Sequence, residues 1–282
     1  MNKDTINHAI QAAFVADAYC LGSHWVYDEA QLTTLPIDWG TLNAPQAMWH
    51  KGKNKGDFTH YGDHGKWLHE FIQKNDHFDI TMYGGFWLDN MQDYKGYIDG
   101  SSRETIEALK KDPHTDKGSS SHDLSIIGRI APLLLVSDSK EKFLKQVESF
   151  VGFTHNSPVV LKAAALFASV LYDVAEGKSI DKALHDVDVD PTLQTAFDAG
   201  VNSKGLDTFS AIRNFGPACG VEGGFEGVVH LLVSYDGFKE AMIANAKAGG
   251  DTSARAMIVA MIMGAAGKSI PSSWIETTKG LA

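Results

Sequence analysis

Ala248-Gly249-Gly250-Asp251-Thr252-Ser253-Ala254 runs directly into Arg255-Ala256-Met257-Ile258-Val259-Ala260-Met261-Ile262-Met263-Gly264-Ala265-Ala266-Gly267. The second stretch reads as an apolar helix and the first as the polar turn that starts it. Gly249 and Gly250 can take backbone angles closed to other residues. The turn can therefore deliver a carboxylate and two hydroxyls to the helix start. Asp251 falls where the first backbone N–H groups of a helix lack partners and the helix dipole is positive. The spacing alone leaves two readings open: a plain N-cap, or a side chain that holds a ligand or a metal.

Outward from this stretch, helical periodicity dominates. Ile6, Ile10, Ala13, Phe14 and Asp17 recur at three- and four-residue steps, and Trp67, Leu68, Phe71 and Ile72 repeat the pattern. Helices are expected over 79–94 and 140–153, and as one strongly apolar helix over 122–136. Another follows Pro158, a good first-turn residue. Shorter ones fit 180–187, 191–199, 205–213, 224–234 and 237–247. Caps at Asp99-Gly100-Ser101-Ser102 precede Thr105–Leu109. Period-two runs, regular βαβ alternation and spaced hairpin signals are missing, so the expected class is all-α. Residues 33–62 are rich in Pro, Gly, Asn, Asp and Thr and read as a long ordered loop, a kind often tied to function. With 282 residues and no compositional break, the chain is expected to form one domain over 1–282.

The charge balance, 35 acidic against 25 basic residues, gives a net −10. That argues against a general binder of nucleic-acid backbones, though not against a small phosphorylated ligand held by local N–H groups. Cys20 and Cys219 form no CxxC pair, which argues against structural zinc and suits a reducing cytoplasm. The start of the chain shows no apolar signal core, and apolar runs such as 256–267 fall short of the ~20 residues that span a bilayer; no membrane partner is expected. GxGxxG after a strand, GxxxxGK[ST], HExxH and GxSxG are absent, which removes the usual signals of P-loop, zincin and α/β-hydrolase chemistry.

Four further segments place polar groups in apolar surroundings. Asp17, late on the first helix, costs free energy unless paired; it is a capping acceptor or a site residue. Gly62-Asp63-His64-Gly65 sets a carboxylate beside an imidazole, either metal ligands, an acid–base pair, or a cap with a solvated histidine. The serine-rich turn with Ser120 and Ser121 can hold phosphate or simply cap a helix. Arg129, one or two turns on, can pair with a ligand phosphate or an internal carboxylate. Thr154-His155 forms a polar turn between two apolar helices.

Taken in order, these segments resemble the ADP-ribosylglycohydrolase family over nearly the whole chain. Asp17-Ala18 is similar to that family's early Gly-Asp-Ala-Leu-Gly helix end. Gly62-Asp63-His64 lies where the family carries Thr-Asp-Asp. Arg129-Ile130-Ala131-Pro132 and Thr154-His155 match its Arg-Ile-Ala-Pro and Thr-His segments. Gly249-Gly250-Asp251-Thr252 resembles its late Gly-Gly-Asp-Thr-Asp-Thr motif, and Ile270-Pro271-Ser272-Ser273-Trp274 its Ile-Pro-x-x-Trp ending. The resemblance implies a compact all-α fold and a dinuclear magnesium or manganese site. It also implies cleavage of the bond between ADP-ribose and its acceptor by metal-held water. Asp63, His64 and Asp251 become candidate catalytic residues and metal ligands. Asp17, Ser120, Ser121, Arg129, His155, Gly249, Gly250, Thr252 and Ser253 become candidate contacts to an ADP-ribose-like molecule or an ADP-ribosylated substrate.

The metal motifs depart from the family pattern. The second aspartate of Thr-Asp-Asp is His64, and the later aspartate of the glycine motif is Ser253. The expected divalent-metal site is therefore incomplete. Two functional readings follow. One is a hydrolase of an N- or O-glycosidic bond, using a single metal on Asp63, Asp251 and His64 or no metal at all. With an imidazole ligand, manganese, iron or zinc gains over magnesium. The other is a degenerate member that binds an ADP-ribose-like ligand or serves a structural role, as the family's lens crystallins do.

Overall fold

In the computed structural model, which describes residues 1–112, 115 and 118–281, helices form the whole frame. In chain order they are α1 (Lys3–Cys20), α2 (Glu29–Thr34), α3 (His60–Asn75), α4 (Ile80–Asp93), α5 (Gly100–Lys111), α6 (Lys140–Thr154), α7 (Pro158–Ala175), α8 (Ile180–Asp186), α9 (Gln194–Asn202), α10 (Thr208–Phe215), α11 (Val221–Ser234), α12 (Phe238–Ala248), α13 (Thr252–Ala265) and α14 (Ser272–Thr277). Among the described residues, β structure is limited to isolated bridges. The all-α expectation holds.

The apolar stretch after the glycine turn becomes α13, and every one of its side chains is buried. A helix apolar on all faces belongs in the middle of a core. Helix α13 lies along α1 in the most extensive pairing of the fold and also packs against α7, α11 and α12. Small residues allow the close approach: a Cβ added at Gly264 would lie 2.6 Å from Ala12 Cβ. Helix α7 is long and apolar enough to cross a membrane by length and composition, but its Phe167, Val170 and Leu171 are fully buried in the same core.

The expected single helix over 122–136 is a correction. The structure has two short 3-10 helices there, Leu124–Arg129 and Ala131–Val136, meeting at Ile130. Pro132 explains the break, because it lacks an N–H and its ring crowds the carbonyl one turn earlier. The 3-10 form also lets Gly128 approach α13, where an added Cβ would meet Met257 Cβ at 2.5 Å.

The long loop between α2 and α3 is ordered by the chain's end. Trp274 stacks on Tyr19 at 3.9 Å and donates its indole N–H to Gly40 O at 2.9 Å. Tyr19 donates to Trp39 O at 2.8 Å, and Lys279 N donates to Gly56 O at 2.8 Å. This loop carries a short 3-10 turn, Met48–His50, that forms one wall of the site below.

Candidate functional site

Asp251 is the N-cap of α13: Oδ1 accepts from Ala254 N at 3.1 Å. Its other oxygen is also taken. Tyr61 Oη donates to Oδ2 at 2.8 Å and Trp25 Nε1 at 3.3 Å. Gly249 and Gly250, both with positive φ, make the turn, and a Cβ at Gly250 would collide with Pro217 O at 2.1 Å. Arg255, one turn into α13, holds the turn in place by donating to Gly249 O at 2.6 Å and Asn245 Oδ1 at 2.9 Å. Burial pushes the Asp251 carboxyl upward, against the Ala254 and Tyr61 hydrogen bonds. Thr252 donates to Cys20 O at 3.3 Å.

Residues 23–26 are tied to this turn: Trp25 N donates to Gly250 O at 2.8 Å and Gly250 N to Val26 O at 2.7 Å. Trp25 itself has φ of 61°, a strained value for a bulky side chain and a common mark of functional sites. The tie brings His24 Nδ1 to 3.5 Å from Asp251 Oδ1, and Ser253 N donates to the same nitrogen at 3.4 Å.

On α3, Thr59 is the N-cap, and it also donates through N at 2.8 Å and Oγ1 at 2.6 Å to Asp17. Burial pushes Asp17 up to about 6 despite these bonds. The first-turn residue that reaches Asp251 is Tyr61. Asp63 and His64 point elsewhere. Asp63 accepts from Lys53 Nζ at 2.6 Å and Tyr94 Oη at 2.5 Å. His64 stacks on Trp67 at 4.5 Å and lies 3.4 Å from Arg129 Nη1 through Nδ1. Burial, then the Arg129 charge, holds His64 well below the ordinary imidazole range.

The serine turn behaves as local scaffold in part. Ser119 donates to Thr154 O at 2.9 Å, and Ser121 Oγ accepts from Asp123 N at 3.2 Å, while Ser120 is exposed. His155 is buried beside this turn, with Nδ1 2.8 Å from Thr154 Oγ1. Arg129 reaches Ser125 Oγ at 3.3 Å and lies over the Tyr61 ring.

A cleft of about 920 Å³ opens outside Asp63. Lys51, Lys53, Lys66, Lys95 and Arg103 line it, against the carboxylates of Asp63 and Glu70. Trp49, Trp67, Tyr94 and Tyr97 supply ring faces, and Trp49 is 54% exposed. Deeper in, His24, His50 and His60 are buried together, with one ring nitrogen of each within 4.8 Å of the other two.

The sequence reading did not single out His24, His50, His60, Lys53, Tyr61 or Tyr94. His50, His60, Tyr61 and Lys53 fall in the stretch 33–62 that reads as one loop, although α3 begins at His60. The others come from loops and separate helices that periodicity does not bring together.

The family model for ADP-ribosylglycohydrolase matches residues 2–281. The chain belongs to the ADP-ribosylglycohydrolase family. Crystallin J1A of Tripedalia cystophora is 23% identical, covering 98% of this chain and 92% of that protein. Crystallin J1B of the same animal is 22% identical over the same shares. The solved structure of an ADP-ribosylglycohydrolase-related protein complex superposes with a TM-score of 0.76 at 16% identity, covering 97% of this chain and 92% of that one.

ADP-ribosylglycohydrolase membership suggests a divalent metal, and its implied carboxylate-held magnesium or manganese pair can be tested against these residues. Asp63 is occupied by an ammonium and a phenol, and Asp251 by Tyr61, Trp25 and its own helix. Among the described residues Asp63 joins no group of three ligand side chains, and Asp251 joins only Asp123 and Cys219. In that group, burial and Asp123 push the Cys219 thiol well up, and burial with Asp251 pushes Asp123 up to about 7. A thiol is a poor donor for a hard dication, and two carboxylates are few for a pair of them. A magnesium pair on carboxylates does not fit this site.

Proposed function

We propose that this chain binds an ADP-ribose-like ligand in the cleft beside Asp63 and does not use the family's carboxylate-metal hydrolysis. One observation carries the reading. A chain of net charge −10 gathers five cationic side chains against two carboxylates in a single cleft walled by four aromatic rings. Cations suit a diphosphate, and ring faces suit a base.

The Thr59 neighbourhood supports the loss of carboxylate chemistry. Thr59-His60-Tyr61, rather than the Gly62-Asp63-His64 matched to Thr-Asp-Asp above, is the segment that meets Asp17 and Asp251. Read in that register, both acidic positions are filled by His60 and Tyr61. The crystallin relatives agree with a non-catalytic role.

The second reading, a retained N- or O-glycosidic hydrolase, is favoured by the imidazole of His50 at the cleft wall, which burial and His60 hold down to about 3, so that its neutral ring can accept a proton.

Calorimetric titration with ADP-ribose tests the proposal. One saturable site is expected, weakened by added salt, and weakened roughly 5–100-fold in Trp49→Ala through the lost ring face. An absence of binding at millimolar ligand sinks it. Release of free ADP-ribose from an ADP-ribosylated peptide, lost in His50→Gln, would decide for the hydrolase.

A further inference from the structure

Three buried imidazoles remain outside this reading. His24 follows α1, His50 ends the 3-10 turn of the long loop and His60 opens α3, so three separate elements converge. Their exposures are 0%, 3% and 0%. His50 Nε2 and His60 Nδ1 stand 3.5 Å apart. Two donors on a tetrahedral ion with bonds of 2.0–2.1 Å are separated by roughly 3.4 Å. His24 Nε2 is buried without a hydrogen-bond partner, an unmet polar atom that a ligand at this place would satisfy.

We propose that His24, His50 and His60 together bind one divalent transition-metal ion of the zinc type, leaving a fourth position for water or a ligand oxygen. Imidazole donors select zinc, nickel, cobalt or copper over magnesium, so this site differs in donor set and metal from the carboxylate pair that fails to fit. It stands independently of the proposed ADP-ribose binding. Three protein ligands and an open position is the arrangement of reactive rather than structural zinc. His50 also lines the cleft, which places the open side toward it.

The surroundings supply the outer shell that metal-binding histidines ordinarily have. Asp251 Oδ1 lies 3.5 Å behind His24 Nδ1, and Asp99 Oδ2 lies 3.5 Å behind His60 Nε2. Coordination through His24 Nε2, His50 Nε2 and His60 Nδ1 turns the remaining N–H groups of His24 and His60 toward these carboxylates and leaves that of His50 without one. At His24 this exchanges the bond accepted from Ser253 N for one donated to Asp251. Trp25 packs against all three rings, at centroid distances of 4.6, 5.2 and 5.4 Å. Lys53, a cation of the same loop, is paired with Asp63 at 2.6 Å.

The test uses the full chain, stripped with chelator and free of nucleotide. Cobalt(II) is added and the visible ligand-field spectrum recorded, and zinc affinity is measured by competition with a chromophoric chelator. The expected result is one equivalent per chain, an intense four-coordinate cobalt spectrum and quenching of tryptophan fluorescence, with no response to magnesium. His50→Ala should lose more than the roughly 10–100-fold in zinc affinity typical of an outer-shell change. Asp99 also caps α5, and asparagine caps equally well. Asp99→Asn is therefore expected to keep the fold, by circular dichroism, and lose roughly 10–100-fold in affinity. Absence of stoichiometric zinc binding, or binding unchanged in a folded His50→Ala variant, overturns the proposal. Neither result bears on ADP-ribose binding, which is titrated separately.

Discussion

Asp251 shows how one residue can be both cap and site. Its carboxylate accepts the Ala254 N–H, the Tyr61 hydroxyl and the Trp25 indole. Loss of the cap alone costs about 1 kcal/mol. Leaving the buried Tyr61 hydroxyl without an acceptor adds about 1–3 kcal/mol. Asp251→Ala is therefore expected to lose about 3 kcal/mol in urea unfolding. Asp251→Asn, which keeps the cap and one acceptor oxygen, should lose clearly less. A loss of only about 1 kcal/mol in the alanine variant would reduce Asp251 to a cap. The glycine pair and carboxylate were legible because a turn needing positive φ leaves a local signature. Asp63 and His64 were visible as residue types, but their partners were not. Lys53 on Asp63 and Arg129 at His64 arise from tertiary contacts, and helix phase decides that Tyr61 rather than Asp63 reaches Asp251.

At the scale of elements, the pairing of α1 with α13 carries the core. The apolar run after Asp251 marked α13 as a core helix, since helices buried on all faces show no polar stripe, but periodicity does not name its partner. The 3-10 pair at 124–136 was not legible from apolar content. A continuous apolar run scores as one helix, and only Pro132 marked the break. Gly264 sits where the main pair approaches closely. An added Cβ would meet Ala12 Cβ at 2.6 Å, His8 O at 2.8 Å and Ala9 Cα at 2.9 Å. Alanine improves helix propensity by about 1 kcal/mol. Two of the three obstacles are backbone atoms that cannot rotate away, and overpacking of a core costs about 1–3 kcal/mol or more. Gly264→Ala is expected to lower stability by about 1–2 kcal/mol net, read as a lower urea midpoint at constant slope. An unchanged or raised midpoint would show that α1 and α13 slide apart freely.

Across the whole molecule, buried ionisable groups set the response to acid, with two opposing signs. His155 is 1% exposed. Burial, reinforced by the Arg129 charge and opposed by Asp99, holds it down to about 3, whereas in an unfolded chain it titrates near 6.5. Between those values the unfolded chain carries a proton that the folded one refuses. The stability His155 contributes is fully present above about pH 6.5 and is lost as the pH falls toward 3, by up to about 1.4 kcal/mol per pH unit. Asp17 and Asp123 act the other way. Burial pushes them up to about 6 and about 7, so the folded chain keeps protons that the unfolded chain has released. Their contribution is largest in acid and is lost as the pH rises through those values. The wild-type profile sums both kinds, but a comparison with His155→Gln isolates one. Between pH 4 and 6 the variant's unfolding free energy should rise less steeply with pH, by about 1.4 kcal/mol per unit, while above pH 7 the two curves run parallel. Parallel curves throughout would mean that His155 is protonated inside the fold and that the polar pocket it shares with Arg129 and Asp99 admits its charge.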